Sequence, residues 1–312
     1  MSLIEVKNLH TYFTTKRGLV KAVNGISFSV EAGRTLGIVG ESGSGKSQTA
    51  MSILQLFESN QKIHEGEIIF DGKVLSSMNE EELRKIRGND ISMIFQEPMT
   101  SLNPVFTVEK QISEVLILHQ GMDKKAAAKR SREMLEAVKI PNPDRVLKSY
   151  PHQLSGGMSQ RVMIAMALAC NPRVLIADEP TTALDVIIQA EILKLMNDLK
   201  KDYQTSILFI THDLGVISQM ADDVIVMYGG KIVEAAPIRT IFKDAKHPYT
   251  KRLMAAFLKT DINRSKSAEF VAPNFYEAEN EEYNFQNFKE NGVADDTWLQ
   301  VGENHFVAVN KL

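Results

Sequence analysis

The sequence predicts an α/β fold with an antiparallel β subdomain, a helical subdomain and a small C-terminal extension. Three observations carry this. Residues 4–30 alternate polar and apolar side chains, short apolar strands recur between helical stretches further on, and a glycine-rich loop joins one such strand to a helix.

Ile4, Val6 and Leu9, then Val20, Ala22, Val23, Ile26, Phe28 and Val30, read as antiparallel strands with one buried face. Glu67 to Leu75 adds a hairpin, because Asp71-Gly72 readily takes the positive φ angles of a type I′ turn. Thr35 to Gly40 is a short apolar strand that runs into the glycine loop, with a helix beginning near Lys46. After the strand Ile91 to Phe95, the stretches Val108–Leu118 and Lys124–Val138 carry good helix formers, the second with an apolar stripe at Ala127, Met134, Leu135 and Val138. This helical subdomain is expected at about 98–165, its insert closing at Pro141-Asn142-Pro143. Another helix leads from Ser155 to Leu168, and strand Val174–Ala177 follows. The alternation resumes with a helix faced by Ile188, Ile192, Leu195, Met196 and Leu199 and a strand from Ser206 to Ile210. A hairpin turning on Gly229-Gly230 comes next. Residues 1–258 are expected as one domain. The acidic, Asn-rich stretch 259–312, with Phe270, Phe275, Tyr276, Tyr283, Phe285, Phe288 and Trp298, is expected as a separate tail, either an interaction segment or partly disordered.

Composition narrows the function classes. With 312 residues, 44% hydrophobic and 24% charged, the chain is ordinary globular protein. A net charge of -3 argues against coating nucleic-acid phosphates. The start at Met1 reads as neither signal peptide nor anchor, and the longest apolar run, Val162–Cys170, is about half of what a membrane span needs. Cys170 is the only cysteine, so neither an intrachain disulfide nor a cysteine metal cage can form. The basic cluster Lys124, Lys125, Lys129, Arg130 and Arg132 reads as a solvated helix face.

Gly40-Glu41-Ser42-Gly43-Ser44-Gly45-Lys46-Ser47 matches the phosphate-loop pattern in the context its mechanism requires, after an apolar strand and before a helix whose next residue is Gln48. Glycines let the backbone N–H groups converge on phosphate oxygens, and the helix start adds partial positive charge. Lys46 would reach the β and γ phosphates and Ser47 would offer its hydroxyl to Mg²⁺. Downstream, the strand 174–177 delivers Asp178 and Glu179 at its carboxyl end, Asp178 suited to Mg²⁺ and Glu179 to accepting a proton from an attacking water. Gln96 and His212, each at a strand end, can contact metal, water or γ-phosphate.

Leu154-Ser155-Gly156-Gly157-Met158-Ser159-Gln160 sits upstream of that acidic pair. With the phosphate loop, Gln96, Asp178-Glu179, Asp185 and His212 in this order, residues 1 to about 258 resemble an ABC-type ATPase with a P-loop core. The words Phe95 to Pro104, Tyr150-Pro151-His152-Gln153 and His247-Pro248-Tyr249-Thr250 narrow the likeness to ATP-binding subunits of oligopeptide and dipeptide importers. The resemblance implies ATP with Mg²⁺ as cofactors, and Ser155, Gly156, Gly157 and Gln160 meeting the ATP of an opposing subunit with Asp185 at the seam. Phe13, or else Tyr12, would stack on adenine. It implies two membrane permease subunits, a second ATPase subunit that is a copy or, as the likeness favours, a paralogue, and indirectly an extracytoplasmic peptide-binding protein. The location would be peripheral, on the cytoplasmic face of the cell membrane. Nickel import and a non-transport ABC ATPase are the alternatives. Members of the subfamily commonly hold an iron–sulfur cluster on C-terminal cysteines, and residues 261–312 contain none, so no cluster is expected.

Overall fold

Apolar residues on one face of each strand account for the first β layer. In the computed structural model, which describes residues 2–182, 184–262 and 297–309, strands β1 (Ser2–Thr15) and β2 (Gly18–Glu31) bury Ile4, Val6, Leu9, Val23, Ile26 and Val30. Strand β3 (Thr35–Val39) and helix α1 (Lys46–Ile53) follow, then β4 (Gln61–Phe70) returns antiparallel to β1, with Ile4 opposite Phe70 and Val6 opposite Ile68. Asp71 and Gly72 take φ of 48° and 78°, the expected type I′ turn, and lead into β5 (Lys73–Val74). The sheet order is β2-β1-β4-β5.

The chain divides into two units: one of residues 31–34 and 77–209, the other of 2–30, 35–76 and 210–312. In the first, α2 (Glu80–Ile86) starts on a capping box, Asn79 accepting from Glu82 N while the Glu82 carboxylate accepts from Asn79 N. Strand β6 (Ile91–Ile94) is followed by α3 (Pro98–Ser101), α4 (Val108–Gln120), α5 (Lys124–Ala137), α6 (Pro143–Leu147) and α7 (Gly156–Leu168). These helices fill the stretch where a helical subdomain is expected. Pro143 begins α6 instead of closing the insert, since a proline in the first helical turn forfeits no hydrogen bond. Ile112 and Leu116 of α4 and Ala127, Met134 and Leu135 of α5 are buried, and Ser113 and Ser131 join the two helices through hydroxyls 3.0 Å apart. Lys124, Lys125, Lys129 and Arg132 of α5 are exposed, Arg132 pairing with Glu136 and Asp144, whereas Arg130 is half-buried and donates to Asn171 Oδ1 at 2.9 Å. Strand β7 (Val174–Asp178) runs parallel to β6, with Ile91 opposite Val174 and Met93 opposite Ile176. After α8 (Val186–Tyr203) comes β8 (Ser206–Thr211), giving the order β8-β7-β6.

In the second unit, α9 (Leu214–Met220) precedes β9 (Asp223–Tyr228), which pairs parallel with β3. Gly229 and Gly230, both at positive φ, turn the chain into β10 (Lys231–Pro237), and α10 (Ile238–Asp244) and α11 (Pro248–Ile262) follow. The expected separate tail departs from expectation at 297–309. Strands β11 (Thr297–Gly302) and β12 (His305–Val309) form a hairpin, and β12 pairs antiparallel with β10, Glu234 opposite Val307. Val307 and Ala308 are fully buried there, which gives the hairpin an apolar reason to dock. The order is β11-β12-β10-β9-β3. Trp298 lies on β11, partly exposed; Phe270, Phe275, Tyr276, Tyr283, Phe285 and Phe288 lie outside the described residues. Among the described residues no helix is long and apolar enough to cross a membrane.

Candidate active site

The wholly buried strand β3 delivers its carboxyl end into residues 40–45, and α1 begins at Lys46. Glycine is required by packing as well as by conformation. A Cβ on Gly40 would lie 2.2 Å from the Met227 carbonyl oxygen, and one on Gly45, at φ 101°, would lie 2.3 Å from that of Ala22. Lys46 is buried, its Nζ donating to the carbonyls of Gly40 at 2.8 Å and Glu41 at 3.0 Å. Ser44 Oγ is buried with no hydrogen-bond partner among the described residues, a hydroxyl that a phosphate oxygen would satisfy. Ser42, Gly43 and Ser47 are exposed, and Ser47 stands on the first turn of α1. Gln48 extends toward Gln61, Nε2 to Oε1 3.5 Å.

Two contacts to this loop were not foreseen. Glu41 N donates to the hydroxyl of Tyr249 at 2.8 Å, and the Glu41 carboxylate meets Arg252 at 3.1 Å. In the same unit His212 follows β8 at an exposed position, and Asp213 caps α9 by accepting from Gly215 N and Val216 N. Of the two aromatic candidates for adenine, Tyr12 is engaged: its hydroxyl donates to Asn24 at 2.9 Å and its ring lies 4.6 Å from that of His64. Phe13 is half-buried opposite Gln61.

The other unit holds the acidic pair. Asp178, the last residue of β7, is buried; Glu179 follows at φ 46°, a left-handed backbone that costs a non-glycine residue about 1–3 kcal/mol and persists only where neighbours hold it. Glu179 Oε2 accepts from Gln96 Nε2 at 3.1 Å and from Thr182 Oγ1 at 2.9 Å. The structure thus brings Gln96 and Glu179 together and adds Thr182, a residue no motif in the sequence marks. Thr182 lies three residues after Glu179, close enough for its hydroxyl to reach back around one turn.

Ser155 is the N-cap of α7, its Oγ accepting from Met158 N at 3.4 Å. Asp185 is the N-cap of α8, accepting from Ile187 N at 3.1 Å and Ile188 N at 3.0 Å. The two helix starts touch: a Cβ on Gly157 would lie 2.9 Å from the Ile188 side chain, and one on Gly156 4.0 Å from that of Leu184. Gly156 is exposed, Gln160 is buried, and its Nε2 has no hydrogen-bond partner among the described residues. Beside Asp185, the apolar Val186 and Ile187 are 81% and 74% exposed.

The family described as ABC transporter matches residues 23–182. The oligopeptide transport ATP-binding protein AppD of Bacillus subtilis is 55% identical over 256 residues, 82% of this chain and 78% of that protein. The dipeptide transport ATP-binding protein DppD of the same organism is 52% identical, covering 84% of this chain and 78% of that one. Among solved structures, the dimeric ATP-binding cassette MJ0796 bound to ADP and Pi superposes with a TM-score of 0.68 at 30% identity, over 76% of this chain and 99% of that one. Matched over residues 23–182 by that family and across most of its length by ATP-binding transport proteins, this chain belongs to the ABC transporter family.

Proposed function

We propose that this ABC-type ATPase binds the triphosphate of ATP in residues 40–47 and hydrolyses it to drive a membrane permease that imports di- or oligopeptides. The peptide cargo rests on the printed names of the relatives. The observation that carries the nucleotide assignment is the loop itself, with Lys46 buried against its carbonyls and Ser44 Oγ awaiting an acceptor or donor.

The residues divide the work. Lys46 leaves the carbonyls of Gly40 and Glu41 for the β and γ phosphates, and the loop N–H groups take the remaining oxygens. When bound, Mg²⁺ would be held by oxygens of Ser47, Asp178 and Gln96, the residues the family resemblance assigns to it, and would neutralise charge on the triphosphate. Glu179 accepts the proton as water oxygen bonds to the γ-phosphorus and the bond to the β–γ bridging oxygen breaks, so that ADP leaves. Gln96 and Thr182, both donating to Glu179 Oε2, fix its carboxylate for that transfer. His212 contacts the γ-phosphate, and Phe13 stacks on adenine. Ser155, Gly156, Gly157 and Gln160 address the nucleotide of an opposing ATPase subunit, a paralogue, with Asp185 at the seam. The exposed Val186 and Ile187 beside Asp185 support that seam, since burying them would remove apolar surface from water. Two permease subunits and, through them, an extracytoplasmic peptide-binding protein complete the transporter, and the chain works at the cytoplasmic face of the cell membrane.

The test is Glu179→Gln in the assembled transporter. Steady ATP turnover falls by roughly 10²–10⁴, the range for losing a general base, while Mg-ATP remains bound and the closed ATPase pair accumulates on size-exclusion chromatography. Turnover within a few-fold of the parent would remove Glu179 from this role.

A further inference from the structure

We propose that Tyr249 is a positioning residue for ATP binding, acting through the peptide between Gly40 and Glu41. Both polar ends of that one peptide are engaged: its carbonyl accepts from Lys46 Nζ at 2.8 Å and its N–H donates to Tyr249 Oη at 2.8 Å. A peptide is planar, so fixing the N–H direction fixes the carbonyl direction as well. Tyr249 therefore sets the orientation of the first peptide of the loop, keeping the loop backbone in the shape that receives phosphate once Lys46 leaves the Gly40 carbonyl.

The hydroxyl is itself well anchored. Tyr249 is fully buried, with its ring 4.6 Å from that of Tyr228. Its backbone N donates to His247 Nδ1 at 3.1 Å, and His247 N donates to Glu234 Oε2 at 3.1 Å. Glu234 Oε1 in turn lies 2.7 Å from Nε2 of His305 on β12. The first turn of α11 is thus tied to β10 and to the C-terminal hairpin, and through Tyr249 the same frame holds the phosphate loop. This inference rests on residues 40–47 being the phosphate cradle.

Tyr249→Phe keeps the ring and removes only the hydroxyl. The Kd for Mg-ATP, read by displacement of a fluorescent ATP analogue, rises about fivefold, the equilibrium worth of one hydrogen bond. KM for ATP rises in parallel, while kcat at saturating ATP stays within about twofold, because the loop is destabilised before binding and restored by the bound phosphates. A tyrosine that merely fills the core would lower the unfolding midpoint and leave Kd and KM unmoved, and that result overturns the proposal. Amide hydrogen exchange in the unaltered protein gives a reading that needs no variant: the Glu41 N–H is protected if the bond exists, and exchange at the free-peptide rate also overturns it. Lys46→Ala separates the two levels. If that variant keeps parental ATP affinity, the cradle assignment fails and this inference with it; if it loses ATP while Tyr249→Phe binds as the parent does, Tyr249 alone loses its role.

Discussion

Acidification is expected to unlock the frame beneath the phosphate loop through His247. Its imidazole is fully buried, and burial lowers its pKa from the ordinary 6.5 to about 3. The neutral ring is also the form the structure uses, since Nδ1 accepts from Tyr249 N and cannot do so when protonated. The unfolded chain takes up a proton near pH 6.5 and the folded chain only near 3, so the unfolded state binds more protons between these values. This contribution is complete above about pH 6.5 and is lost as pH falls toward 3. From about pH 7 to about pH 5 the loss is about 2 kcal/mol, at about 1.4 kcal/mol for each pH unit below the unfolded pKa. Urea denaturation of the parent and of His247→Gln at both pH values measures it, because glutamine cannot titrate and every other group is shared. The parent is expected to lose about 2 kcal/mol more than the variant. Equal losses in the two proteins would refute the reasoning.

Two further substitutions test local geometry. Gly45→Ala would set a Cβ 2.3 Å from the Ala22 carbonyl oxygen at φ 101°, so Mg-ATP binding by calorimetry should disappear; parental affinity would show that the loop can move aside. Asp185→Ala removes the cap that receives two N–H groups of α8 and should cost about 1 kcal/mol in denaturant unfolding, with Asp185→Asn recovering most of it.

Features written in adjacent residues were legible in the sequence. Asp71-Gly72 and Gly229-Gly230 state their turns, Ser155 states its helix start, and the glycines of 40–45 state a tight loop, which the close neighbours of Gly40 and Gly45 bear out. What escaped depends on distant residues meeting. The bond from Glu41 to Tyr249 spans 208 positions, and nothing near Glu41 announces it, although the word His247-Pro248-Tyr249-Thr250 already stood out as a feature of the importer subfamily. The hairpin of β11 and β12 was hidden because its strands are short and follow an acidic, Asn-rich run, and because their partner β10 lies far upstream. Pro143 was read as a stop where it serves as a start, an ambiguity inherent to proline at helix boundaries.

The left-handed backbone at Glu179 sets fold robustness against turnover at a single position. Glycine or asparagine would sit there with less strain, so a population selected only for tolerance of heat would drift toward shedding the carboxylate. Glutamine gains nothing of the kind, because it keeps the same side-chain branching and hence the same backbone penalty. A chemically silent engine is therefore reachable by two routes, one that hardens the protein and one that leaves it as it was, and only demand for work keeps an acid at that bend.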